Sequence, residues 1–213
     1  MRLLRYLVAE ARQMLFAPET CYLCGRALPS PILPWMSFVD EVLASFCEHC
    51  LQRIPWVVPP LCDRCGCPTG REGLCSICRS GARVLKGRSP AVYDGVVKRL
   101  LGDLKFKGVR ELARPLGYLT GVVAEDLVRD WRSFAIVPIP LHSERLVERG
   151  FNQADLLAES AARVLRRPVW RNVLERKKAT SPQTRLSASE RRINMAGAFA
   201  VPEPGRVTGR RFL

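Results

Sequence analysis

The chain has 213 residues, 47% of them hydrophobic, and a formal net charge of +14. That length allows one large domain or two modest ones with a sizeable core, and the absence of any 18-residue apolar run argues against a membrane span. The charge is uneven: residues 1–80 hold 8 Lys/Arg and 7 Asp/Glu, whereas residues 163–213 hold 13 against 3, so the positive end invites a phosphate-rich partner.

In chain order, Leu3, Leu4, Leu7, Val8, Ala11, Met14 and Leu15 recur at helical spacing, which predicts an amphipathic helix over 1–18 that packs on the protein itself, contact with a membrane surface being the alternative. Arg2, Arg5, Glu10 and Arg12 interrupt its apolar pattern, so no signal-peptide core is expected and the chain is placed in the cytoplasm. Eight of nine cysteines then form four C-x-x-C pairs, Cys21/Cys24, Cys47/Cys50, Cys62/Cys65 and Cys75/Cys78. Two thiolates two residues apart grip one tetrahedral metal from a single turn, and two such turns close a four-cysteine shell. The expectation is two structural zinc ions within 19–80. Neighbouring pairs are expected to share a metal, interleaving being the alternative. Cys67 is left over, either a ligand that swaps into a site or a buried thiol.

From residue 81 the pattern reads as α/β. Val92-Tyr93 closes a short strand, and Asp94 caps a helix with Val97, Leu100, Leu101 and Leu104 on one face. A second helix over about 111–130 places Leu112, Leu116, Leu119, Val123 and Leu127 on one face. The apolar run 134–139 fits a strand buried on both sides. After Gly150, Asn152 is the expected cap of a helix with Asp155 in its first turn and Phe151 and Leu156 as a hydrophobic staple. Val169-Trp170 opens a short strand, and Ser187 to Glu190 form a capping box for a helix ending near Gly197. Helices alternating with short apolar runs imply a parallel sheet.

The run Val137-Pro138-Ile139-Pro140-Leu141-His142, then Arg145, then Arg149-Gly150-Phe151-Asn152-Gln153, strongly resembles the ComF (ComFC) family. Tyr93-Asp94-Gly95, the stretch Leu104 to Gly108, Gln183 after Thr180, and the Arg191, Arg192, Asn194, Gly197, Ala198, Phe199 set match as well, as does the double zinc ribbon. The resemblance covers nearly the whole chain. It implies a double zinc ribbon over 19–80 followed by a type I phosphoribosyltransferase-like parallel-sheet domain over 81–213. It also implies an association with DNA uptake in natural transformation.

In that family a hydrophobic strand next leads into paired aspartates and a Thr/Gly-rich loop that bind phosphoribosyl pyrophosphate with magnesium. Here Arg210-Arg211-Phe212-Leu213 enters that strand and the sequence ends; no Asp-Asp pair, G-x-x-x-x-G-K-[ST] or G-x-G-x-x-G occurs. The expectation is therefore an incomplete domain that is inactive as a transferase, with Arg145, Arg149, Asn152 and Gln153 as the candidate phosphate contacts. The competing reading is a non-catalytic zinc-ribbon module that binds single-stranded DNA or a competence protein.

Overall fold

The computed structural model of the chain describes residues 19–28, 45–81, 86–180, 183 and 186–213. The helix expected over 1–18 lies outside them.

The cysteine-rich segment is built from tight turns and two short helices, α1 (Glu48–Gln52) and α2 (Ser76–Arg79). It joins the second half through Trp56 and Ala91, which pair antiparallel, with the Val57 amide donating to Pro90 and the Val92 amide to Pro55. The strand expected to close at Val92-Tyr93 is this single bridge, and Tyr93 is exposed.

Asp94 then starts α3 (Gly95–Phe106) by accepting from the Gly95 amide at 2.8 Å, and Val97, Leu100 and Leu104 are its buried face, as the spacing predicts. A 3-10 turn at Arg110–Leu112 leads into α4 (Ala113–Val128). Of the expected face Leu112 is buried, just before this helix, but within the helix the face is rotated. The fully buried positions are Ala113, Pro115, Gly117, Gly121, Ala124 and Val128, while Leu116, Leu119, Val123 and Leu127 are half-buried. The cause is close approach to α6 (Gln153–Leu165), against which α4 makes its main packing. A β-carbon on Gly117 would stand 2.6 Å from the Leu157 carbonyl oxygen and the Ser160 side chain; one on Gly121 would stand 2.9 Å from Val164. Two glycines one turn apart thus let the helix backbones meet, and the leucines fall to the sides of the contact. The Ser160 hydroxyl, buried there, donates to the Arg114 carbonyl at 2.7 Å.

Of the run 134–139, expected to be buried on both sides, only the first half is: Phe134, Ala135 and Ile136 are buried between two parallel neighbours, whereas Ile139 is exposed. Ala135 bridges Phe212 and Ile136 bridges Val169, with the Ala135 and Val137 amides donating to Arg211 and Leu213 and the Ile136 amide to Pro168. These contacts are short. Among the described residues the only regular sheet is antiparallel, β1 (Glu175–Arg176) with β2 (Phe199–Ala200). The expected parallel sheet is therefore represented by single bridges, because each chain segment contributes only two or three residues before turning. Between these segments lie α5 (Ser143–Arg149), α7 (Ala188–Met195) and α8 (Pro204–Val207); the Ser187/Glu190 capping box of α7 is present on both sides.

Two cores result. One unites Cys21, Leu23, Phe46 and Cys50 with Leu100, Leu104, Leu112, Ala113 and Phe151, so the first cysteine cluster and the helices share one interior. The other gathers Val128, Phe134, Ile136 and Ala158. Among the described residues no helix is long and apolar enough to cross a membrane.

Paired glycine substitutions test the helix contact. Gly117→Ala is expected to lower unfolding stability by about 1–3 kcal/mol, because backbone sits where the methyl must go. Gly102→Ala in α3, where a β-carbon meets nothing within 4 Å, is expected to raise it by up to about 1 kcal/mol. Chemical denaturation of both variants decides; equal effects would sink the account.

Candidate metal centres and anion-facing elements

The first cluster brings together Cys21, Cys24, Cys47 and Cys50, whose sulfurs all lie within 4.8 Å of one another. Residues 19–28 fold back as a hairpin, with Thr20 bridging Ala27 and the Gly25 amide donating to Cys21 at 2.9 Å. Gly25 adopts φ 70°, where a side chain is strained. Cys47 caps α1 and Cys50 lies within it, which turns two residues of spacing into one shared direction. Cys21 and Cys50 are buried and Cys24 is exposed.

The second cluster gathers Cys62, Cys65, Cys67 and Cys75 within the same 4.8 Å limit. Cys67, the leftover of the sequence pattern, is thus inside it. Cys78, expected as the fourth ligand, is outside that group of four and follows in α2, where its amide donates to the Cys75 sulfur at 3.4 Å. Gly66 is required here twice over, by φ 69° and by the Gly87 carbonyl oxygen, 2.5 Å from where a β-carbon would stand.

Four sulfurs about 2.3 Å from one tetrahedral zinc ion stand about 3.8 Å apart. The Cys24–Cys47 and Cys65–Cys75 separations are both 3.7 Å. Both donor sets therefore fit zinc. Ionisation shows the same need for a cation. Burial opposes charge on Cys21, yet the amides of Cys47, Cys24 and Leu23 bring it down to about 6. The amides of Cys75 and Cys65 bring Cys62 down to about 5. Burial, then the neighbouring thiols, push Cys50 and Cys78 up to about 12. Hydrogen bonds from Cys65 and Cys75 do the same to Cys67. The amides lower Cys75 as well, so Cys21 in the first cluster and Cys62 and Cys75 in the second ionise readily beside Cys50, Cys67 and Cys78, which resist losing a proton; a divalent ion is what lets four ionise together.

The Arg-Gly-Phe-Asn-Gln element turns between α5 and α6. Gly150 ends α5 at φ 74°, and Asn152 caps α6 by accepting from the Ala154 amide at 3.1 Å. The same side chain donates to the Ile139 carbonyl at 3.1 Å, fastening the turn to the end of the 134–139 run. Arg149 donates to the side-chain Oε1 of Gln153 and lies 5.6 Å over the Phe106 ring. Arg145 sits one turn earlier and pairs with Glu148 at 2.6 Å. Of the four candidate phosphate contacts, Arg149 and Gln153 are therefore joined, Asn152 is occupied by backbone, and Arg145 is neutralised locally. Arg110, not foreseen, lies 4.6 Å over the Phe151 ring. Its distance along the chain left no pattern to find it by. Lys107 pairs with Asp103 at 2.7 Å.

At the opposite, starting end of the parallel segments is a cleft of about 590 Å³ lined by Arg132, Arg167, Arg210, Arg211, Trp170 and Asp130. Arg210 lies 4.9 Å over Trp170, Arg167 5.1 Å over Phe134, and Arg211 5.8 Å over Trp131. The Arg167 Nε is buried without a partner. Among the described residues none of these four arginines is ion-paired with a carboxylate.

No protein-family model matches the chain, and no solved structure matches it. Curated proteins do. It is 28% identical to Competence protein ComFC of Bacillus subtilis over 71% of this chain and 65% of that protein, so it spans just under two thirds of that relative. It is 36% identical to Competence protein F of Haemophilus influenzae over 48% of this chain and 46% of the relative. Against DNA utilization protein YhgH of Salmonella typhi the identity is 30% over 90% of this chain and 81% of the relative. Likeness of that extent, together with two four-cysteine clusters ahead of the Arg-Gly-Phe-Asn-Gln turn, shows that the chain belongs to the ComF family.

Proposed function

We propose that this chain is a cytoplasmic ComF-family protein that serves in handling DNA taken up or used by the cell. In this reading two structural zinc ions over 19–80 brace a phosphoribosyltransferase-like half over 81–213. The observation that carries it is the likeness to relatives named for competence and DNA utilization across up to 90% of the chain. Support comes from Asn152, which ties the start of α6 to the end of the 134–139 run. A turn so placed, with Arg149 and Gln153 beside a helix N-terminus, suits a phosphate group. In this reading magnesium and phosphoribosyl pyrophosphate would need paired aspartates to hold them. These 213 residues contain no paired aspartates to accept ribose hydroxyls, and on their own they do not turn the pyrophosphate over. Magnesium-dependent pyrophosphate release by the purified 213-residue chain would contradict this.

A second reading, non-catalytic binding of single-stranded DNA, is favoured by one observation: the cleft where four arginines stand outside any described ion pair, three of them over aromatic rings, with Asp130 also in the lining. Arginine and aromatic surfaces together suit a phosphate backbone with exposed bases. Anisotropy of a labelled oligonucleotide against salt tests it. Arg210→Ala/Arg211→Ala is expected to weaken binding and to flatten the log–log salt slope by about 0.7 per lost phosphate contact. Binding by the double variant with wild-type affinity and slope would rule the cleft out.

Zinc itself is tested by metal analysis. About two zinc ions per chain are expected, and Cys50→Ser should retain about one while losing helical signal, since Cys50 lies in the core shared with α3. Retention of both ions by that variant would refute the first centre.

A further inference from the structure

The two cysteine clusters are not equivalent. The first has four thiols and no spare. The second has five: Cys62, Cys65, Cys67 and Cys75 lie mutually within 4.8 Å, and Cys78 stands beside them on α2, its amide donating to the Cys75 sulfur at 3.4 Å. Structural zinc takes four ligands, so five thiols cannot all bind it.

The backbone explains how both extra thiols come to be there. Cys62 donates its amide to the Cys67 carbonyl at 2.9 Å, which fixes Cys67 directly across the turn from Cys62. Cys75 accepts the Cys78 amide at its sulfur, which fixes Cys78 on the first turn of α2. Neither position can withdraw without breaking a bond that also shapes the cluster. Their surroundings differ, however: Cys78 is buried, and Cys67 is half-exposed.

From this geometry we propose that the second centre is a five-thiol site. Cys62, Cys65 and Cys75 hold the zinc ion throughout, and Cys67 and Cys78 alternate as its fourth ligand. In the exchange a Cys67–zinc bond forms as the Cys78–zinc bond breaks, and the proton leaving the Cys67 thiol passes to the Cys78 sulfur. The charge of the shell is unchanged, and no oxidant is needed. A centre of this kind keeps its metal when one of the two alternating thiols is lost, whereas the first centre does not.

The proposal rests on the zinc reading above, and the experiment separates the two. Wild type, Cys67→Ala, Cys78→Ser and the double variant are purified as the full chain, and their metal content and release to a chelator are measured. Wild type should carry two zinc ions, each single variant two, and the double variant one. Cys67→Ala, which alters only a half-exposed turn thiol, should release one of its two ions about tenfold faster than wild type. Its other ion serves as the internal reference. A wild type lacking the second zinc ion would sink the metal assignment and the proposal with it. A wild type with two ions, beside a Cys67→Ala that releases both at wild-type rates, would overturn the alternation alone. So would a Cys78→Ser that folds with native circular dichroism yet binds a single ion. Cobalt loading adds a spectroscopic reading: Cys78→Ser should keep the four-thiolate charge-transfer intensity.

Discussion

Mutual repulsion among crowded thiolates, relieved only by a cation, is the constraint on which the rest of this molecule depends. Sulfurs 3.7 Å apart cannot all carry charge in a partly buried site without an ion between them. Zinc in such a shell supplies on the order of 10 kcal/mol or more of folding free energy. That energy is not confined to the cysteine-rich segment. Cys21 and Cys50 stand in the same interior as Leu100, Leu104 and Phe151, so the first centre forms one wall of the core on which α3 and the start of α6 rest. Phe151 belongs to the Arg-Gly-Phe-Asn-Gln turn, and the first cysteine cluster and that turn are thus joined through one set of apolar contacts.

The second constraint is steric. Where α4 meets α6, backbone touches backbone through Gly117 and Gly121, and this sets the position of the α6 N-terminus. Asn152 then fixes that end to Ile139. The turn is held from both directions, by glycine packing along the helix and by one side-chain amide at its start. Arg149, laid over Phe106 and bonded to Gln153, is consequently pre-positioned.

Much of this was legible in the sequence, because it is written at short range. The C-x-x-C turns, the Asp94 and Asn152 caps, the Ser187/Glu190 box and the Gly150 break each need only a few adjacent residues, and each is found. The α4 face was misread for a physical reason. Hydrophobic periodicity follows leucines, but close helix contact selects the smallest residues, and the glycine pair at 117 and 121 was the signal that outweighed them. Cys67 breaks the C-x-x-C spacing, so no local pattern assigned it; only the fold of residues 61–75 brings it to the other thiols. Arg110 over Phe151 is a contact between distant segments that periodicity cannot carry.

Charge shows the same division between composition and placement. The excess of basic residues in 163–213 is not one surface. Arg171 is taken up by Asp155 and Glu159, Lys177 by Glu175, and Arg206 by Glu203, so these cations are largely spent on α6 and on neighbours in sequence. Arg210 and Arg211 instead lie over tryptophan rings, beside Arg132 and Arg167 in the cleft at the start of the parallel segments. An ion-paired arginine has little attraction left for an incoming phosphate, whereas one lying over an aromatic face keeps its full charge. Net charge alone therefore does not locate a surface: three of the thirteen cations in 163–213 are held in described ion pairs, and two others are gathered over tryptophan rings in one cleft. Those residues stand at one end of the 134–139 segment and the Arg149 turn at the other. A phosphate chain engaged at the cleft would leave that turn free for a separate ligand.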